Sequence, residues 1–152
     1  MPKRIYLAAD HAGFELKEKI KKMLTEHGHE VVDNGAHQLT PGDDYPGYMR
    51  AVADAVARDA GSFGVLFGGS GEGEAMVANR VKGIRAAEFY GGPLDIIKLS
   101  REHNNANILS IGARFVNGEE AERAILLWLK TDFSNEERHV RRIREIEENS
   151  NG

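Results

Sequence analysis

Gly64–Arg80, GVLFGGSGEGEAMVANR, is the stretch around which the rest of the chain is organised. Val65-Leu66-Phe67 is a short apolar run of the kind that forms a strand buried in a parallel sheet. Gly68, Gly69, Gly71 and Gly73 follow, and each removes a Cβ where the backbone turns sharply or approaches a ligand. Glu74-Ala75-Met76-Val77-Ala78 then opens a helix. Strand, glycine loop and helix start, in that order, aim unpaired backbone N–H groups at one point, which suits an anion. Glu74 stands at the rim of that cup. A carboxylate beside an anion-stabilising cup points to proton chemistry next to an oxyanion.

Outward from this centre, apolar runs alternate with helical periodicities. Arg4–Ala9 reads as a first strand ending at Asp10-His11-Ala12-Gly13. Phe14, Leu16, Ile20, Met23 and Leu24 mark a helix with lysines between them, stopped by Gly28. Val31-Val32 with Asp33 forms a second strand, and a loop runs through Pro41-Gly42-Asp43-Asp44-Tyr45-Pro46. Met49, Val52 and Val56 carry a second helix, closed by Gly61. Beyond the central unit, whose helix ends near Arg80, come a strand over Ile84–Phe89 and a helix that Pro93 starts. That helix, with Leu94, Ile97 and Leu99, runs out at Arg101–Asn105. A fifth strand spans Ile108–Gly112 and ends at Ala113-Arg114. Asn117 with Glu120 is a capping box for a helix through Lys130, and Ser134 with Glu137 repeats it for a last helix. The reading is a doubly wound, Rossmann-like α/β fold: five parallel strands, helices on both faces, and an added C-terminal helix.

The 152 residues suit one domain over 1–152, with 147–152 as a frayed polar tail. A net charge of −4 gives no reason to expect nucleic acid as a partner. No stretch approaches a membrane span or a signal peptide, so a cytoplasmic location is expected. The absence of cysteine removes disulfides, thiolate metal sites and cysteine nucleophiles. His27 and His29 lack a third ligand and make no metal site, and His37 has no visible role. Ile125–Leu129 is apolar all round its helix, so one face covers the sheet and another seeks a partner, unless the final helix covers it.

Ligands of such sheets lie beyond the carboxyl ends of the strands. Those ends carry Asp10-His11, the 43–46 loop, the glycine cup with Ser70 and Glu74, and Arg114. His103-Asn104 lies at a helix end on the opposite side, and reaches the same pocket only from a partner subunit or a helix end that wraps over. Arg138 and Arg142, four apart on the last helix, suit a phosphate through bidentate contacts. Val140 and Ile143 then face inward. Each feature has a plainer alternative: a tight turn for the glycines, dipole complementation for Glu74, a turn residue for Asp10, a solvated face for the arginines.

Taken together, the motifs resemble those of the B-type ribose-5-phosphate isomerases. The resemblance rests on Ala9–Gly13, Asp44-Tyr45-Pro46, Gly68–Glu74 with Ala78-Asn79-Arg80, Gly83–Ala86, Arg101–Asn107 and Ile111–Arg114, in order over most of the chain. Many members of that family carry a cysteine base at the position of Gly68; another branch places a glutamate at the end of the glycine loop, and Glu74 matches that branch. The resemblance implies interconversion of ribose 5-phosphate and ribulose 5-phosphate, a step of the pentose phosphate pathway. A six-carbon sugar phosphate is the alternative substrate, and a non-catalytic phosphate-binding module is a more distant one. It implies Glu74 as proton carrier, with Ser70 and the N–H groups of Gly69, Gly71 and Gly73 at the enediolate oxygen. It further implies His103 and Asp10 in ring opening, Asn104 on a hydroxyl, and Arg138 and Arg142 on the phosphate with His11 and Arg114 as helpers. Tyr45 lines the pocket. No metal or cofactor is implied, and the expected assembly is a homodimer, or a tetramer, with active sites between subunits.

Overall fold

The computed structural model describes residues 1–149. Five strands, β1 (Arg4–Ala9), β2 (Glu30–Asp33), β3 (Phe63–Gly68), β4 (Ala86–Phe89) and β5 (Ile108–Gly112), alternate with helices α1 (Phe14–Glu26), α2 (Pro46–Arg58), α3 (Glu72–Ala78), α4 (Asp95–Glu102) and α5 (Gly118–Lys130), and α6 (Glu137–Asn149) follows. The strands form one parallel sheet in the order β2-β1-β3-β5-β4. β3, the strand of the opening stretch, lies at its centre, so both of its faces must be covered.

The period of two in the strands divides the core. Ile5, Leu7, Ala9, Val65, Phe67, Leu109 and Ile111 point to the layer of α1, α4 and α5, where Trp128 is fully buried. Ala8, Leu66 and Ile108 point the other way, against Met49, Val52, Ala53 and Val56 of α2 and Ala78 of α3. This is the doubly wound arrangement expected from the alternation of elements.

Several boundaries and faces differ from the sequence reading. β4 begins at Ala86, the Arg85 N–H being taken by Asn107 Oδ1 at 2.8 Å; on the outer edge of Ala86, Asn79 Oδ1 accepts from its N at 2.8 Å and Nδ2 donates to its O at 3.1 Å. The capping box at Asn117 is present, with both reciprocal bonds. Its expected repeat at Ser134 is not. α6 starts at Glu137, and the Ser134 hydroxyl donates to Glu102 O at 2.8 Å, tying the connection to the end of α4. His139 rather than Val140 faces inward on α6; Val140 is exposed and Ile143 only half-buried. Residues 147–149 belong to α6 rather than to a frayed tail, and Glu147 pairs with Arg85 at 2.8 Å; 150–152 lie outside the described residues.

α5 packs on α1 and α4, and Leu126 and Leu127 rest against the same core while staying half-exposed. Exposed apolar side chains occur elsewhere, at Met76, Tyr90, Ile96, Leu99 and Phe115. Lys17, placed by periodicity among the solvated lysines of α1, is fully buried. Its Nζ donates to both Asp33 oxygens at 2.8 Å and to Ala36 O at 2.6 Å, which fixes the end of β2 and the loop after it against α1. No described helix is long and apolar enough to cross a membrane.

Candidate active site

The carboxyl ends of β1, β3 and β5 meet at one end of the sheet, and the glycines there are required by contact. A side chain on Gly13 would collide with the Phe67 carbonyl, so the turn after β1 can press directly against β3. In that turn Asp10 is buried, and its Oδ1 accepts from Ala12 N at 2.9 Å and Gly13 N at 3.3 Å. One of its oxygens therefore serves the turn, as the plainer reading of Asp10 required. Gly71 holds φ +83° at the start of α3, a value an L side chain would strain. Its carbonyl accepts from the Ser110 hydroxyl at 2.7 Å, so a fully buried serine of β5 pins the loop from beneath.

Glu74 is 4 % exposed, and its carboxyl group occupies the space directly over Gly68. A Cβ at Gly68 would lie 2.5 Å from Oε2 and closer still to Cδ and Oε1. The glutamate thus fills the volume that a side chain at position 68 would need, so only one of the two positions can carry a group into the cup. Burial pushes the Glu74 carboxyl above the ordinary carboxylate range, and the negative charges of Asp10 and Glu88 add to the rise. The backbone N–H groups of Glu74 and Gly71 act in the opposite direction. A buried carboxylate with a raised pKa, in a cup of N–H groups, is suited to taking and returning a proton.

Around this group stand most of the other residues expected at the site. The Tyr45 hydroxyl lies against Gly73, which has no room for a side chain. The Arg114 guanidinium overhangs Gly69, with Nη1 3.0 Å from the place of a Cβ there. Ser70 Oγ accepts from Glu72 N at 3.1 Å, which leaves its own proton to donate. The His11 ring contacts Asp43, Nδ1 to Oδ1 at 2.9 Å.

His103, Asn104, Arg138 and Arg142 are not part of this cluster. His103 caps the carboxyl end of α4, just before β5 begins, so it lies at the amino ends of the strands. The two groups are separated by about the length of a strand, roughly 16–20 Å. At that far end His103 stacks on His139, with ring centroids 4.2 Å apart and an interplanar angle of 17°. His139 is buried and its Nε2 has no hydrogen-bond partner; burial, with His103 and the nearby arginines, holds its pKa below the ordinary histidine value. Arg138 and Arg142 are exposed beside this pair, Arg138 within 3.5 Å of Glu136. One chain therefore carries two separate clusters, at opposite ends of the strands.

Asp43, Ser110 and His139 were not singled out by sequence reasoning. Asp43 was visible only as part of its loop, and the other two act through partners distant in the chain. Among the described residues Asp10, His11 and Asp43 form the one group whose donor atoms all lie within 4.8 Å, as a cation site needs. Asp10 Oδ1 is committed to backbone N–H groups and His11 Nδ1 to Asp43, so the set is a hydrogen-bonded cluster with few free donors. His27 and His29 hydrogen-bond to Met23 O and Lys3 N and share no ligand.

The family model described as Ribose/Galactose Isomerase matches residues 5–146. The chain is 43 % identical over 140 residues to ribose-5-phosphate isomerase B of Mycobacterium tuberculosis, covering 92 % of this chain and 85 % of that protein. To the Escherichia coli enzyme of the same name it is 38 % identical over 147 residues, covering 95 % and 94 %. Among solved structures, ribose-5-phosphate isomerase B from Mycoplasma genitalium with bound ribulose-5-phosphate matches with a TM-score of 0.92 and 37 % identity, over 97 % of this chain and 96 % of that one. The Thermotoga maritima protein matches with a TM-score of 0.89 and 42 % identity, over 96 % and 98 %.

Proposed function

The chain belongs to the ribose/galactose isomerase family, and from that premise we propose that it interconverts ribose 5-phosphate and ribulose 5-phosphate through an enediolate. The observation that carries the reading is the buried Glu74 carboxyl over Gly68, its pKa raised, facing a cup of backbone N–H groups. Moving a proton between C2 and C1 requires a base within reach of a weakly acidic C–H, and donors for the oxyanion that forms. Glu74 is the base. The N–H groups of Gly69 and Gly73, with the Ser70 hydroxyl, hold the enediolate oxygen, the Gly71 N–H being directed at the Glu74 carboxylate itself; one strong donor of this kind is worth about 3–4 kcal/mol in comparable sites. Asp10 and Tyr45 line the pocket, and His11 and Arg114 face the substrate from its rim.

The far-end group completes the site from a second copy. His103 opens the sugar ring, Asn104 takes a hydroxyl, and Arg138 with Arg142 binds the phosphate. Binding the phosphate away from C2 converts remote affinity into positioning of the reacting carbons. A homodimer with shared sites, working in the cytoplasm as a single-domain enzyme, is part of this proposal. The separation of the half-sites within one chain supports it. The test is turnover of ribose 5-phosphate by the purified protein, with allose 6-phosphate and galactose 6-phosphate alongside. Turnover of the pentose is expected; turnover of a hexose phosphate alone keeps the chemistry and changes the substrate, and no turnover of any overturns the reading.

A further inference from the structure

The loop between β2 and α2 carries a carboxylate that the reaction as described does not use. Asp43 Oδ1 accepts two hydrogen bonds from the same residue, His11: one from the backbone N at 2.9 Å and one from ring Nδ1 at 2.9 Å. The burial of the pair is lopsided, with the Asp43 side chain 6 % exposed and that of His11 35 %. The carboxylate is hidden behind the imidazole, so a substrate in the cleft meets the ring and not the acid. An ionised carboxylate can only accept, so Nδ1 must be the nitrogen that carries the proton. The pair thereby fixes the ring plane through two bonds and leaves Nε2 as the nitrogen turned away from the protein.

We propose that Asp43 is a positioning residue that acts through His11, holding its imidazole in the Nδ1–H tautomer so that the unprotonated Nε2 accepts a hydrogen bond from a hydroxyl group of the substrate. A free neutral imidazole is under no such restriction and divides between two tautomers and two ring flips. Only part of that population would offer Nε2 in the right place, and the fraction enters directly into apparent affinity. The Tyr48 hydroxyl lies near the same carboxylate, and a turn bond from Asp43 N to Thr40 O holds the loop around it. The His11 backbone N–H holds Oδ1 whatever the ring does, while Oδ2 is buried without a hydrogen-bond partner among the described residues. The kinetic part of the proposal rests on the isomerase reading; the tautomer does not.

The test uses the full chain with ¹⁵N-labelled histidine, the His11 resonances being assigned by their loss in His11→Gln. In the wild type the His11 ¹⁵N shifts should show the proton on Nδ1, and in Asp43→Ala they should move to the ordinary mixture dominated by Nε2–H. The KM for ribose 5-phosphate should rise about tenfold in Asp43→Ala while kcat stays within about threefold, and Asp43→Ala should add nothing further in a His11→Gln background. A loop merely loosened by the substitution would neither move the tautomer nor give that non-additivity. Asp43→Asn keeps one accepting oxygen and should give the same changes at smaller size, which preserves the test if the alanine variant does not fold. An unchanged tautomer, or losses that multiply in the double variant, overturns the proposal. A wild type that leaves ribose 5-phosphate unchanged would overturn the isomerase reading instead, and the shifts would still decide the role of Asp43.

Discussion

Adding one methyl group at Gly68 tests the geometry of the proposed base more sharply than removing the base does. A Cβ there would stand 2.5 Å from Glu74 Oε2 and nearer still to the carboxyl carbon and Oε1. Ordinary contact is about 3.5–4 Å, so the carboxyl group has to retreat by about 1 Å or more. The glutamate side chain can rotate to do this, and overpacking of this kind costs about 1–3 kcal/mol of stability. A displacement of about 1 Å in a reacting group costs on the order of 100-fold in rate. Gly68→Ala should therefore lower kcat for ribose 5-phosphate by about 100-fold, with KM within about threefold because the phosphate contacts are remote. Initial rates of ribulose 5-phosphate formation give the kinetic terms, and urea melts give the stability. If kcat in the folded variant stayed within about threefold of wild type, Glu74 would not be the proton carrier in the position described.

Glu74→Gln should lose about 10²–10⁴-fold in kcat with little change in substrate binding. The same variant should be more stable than wild type at pH 7. The folded pKa of Glu74 is raised, so its stabilising contribution is complete below the unfolded value near 4.3 and is lost as pH rises through the folded value, at about 1.4 kcal/mol per unit of separation. Melts at pH 7 and pH 4 check this; no gain at pH 7 refutes it. Arg142→Ala should raise KM about tenfold or more, and an unchanged KM would return α6 to a solvated face. Mixing Glu74→Gln with Arg142→Ala subunits under exchange should restore about one quarter of wild-type turnover, because half the dimers then hold one intact site of two. No recovery above the sum of the separate variants would place the whole site in one chain. Lys17→Ala should cost about 1–3 kcal/mol, the loss of a charged hydrogen-bond donor, because Asp33 keeps Lys21 and the Gly35 N–H as partners. Asp33 has its pKa held down against the opposing effect of burial, by Lys17, the Gly35 N–H and Lys21, so its contribution is present above pH ~4 and lost as pH falls through its depressed value. An equal wild-type stability at pH 7 and pH 3 would contradict that.

The elements that local chemistry determines were readable in advance. Val65-Leu66-Phe67 bounded by glycines is a central strand, Asn117 with Glu120 is a capping box, and Gly28 with φ +87° stops α1. The cup was readable for the same reason, since strand, glycines and Glu74 are contiguous. What the sequence did not disclose depends on partners far along the chain. Lys17 is buried because Asp33 and Ala36 O receive it; periodicity alone leaves it in water. His139 turns inward because His103 offers a ring to stack on, and Val140 is exposed in consequence. Ser134 donates its hydroxyl to Glu102 O, and its oxygen accepts only a long bond from Glu136 N, at 3.4 Å, instead of completing a box with Glu137. The His11–Asp43 pair joins two loops that only the pairing of β1 with β2 brings together.

Asn79 bears on how this molecule meets other copies of itself. Its side-chain amide offers Ala86 the acceptor and donor that a neighbouring peptide group would offer, and so counterfeits one residue of a sixth strand. β4 is only four residues long, and the half-buried carboxylate of Glu88 stands further along it. An edge that is short, partly occupied and acidic is a poor template for another chain's backbone. The sheet is therefore built to end at five strands, and a second copy should not extend it through β4.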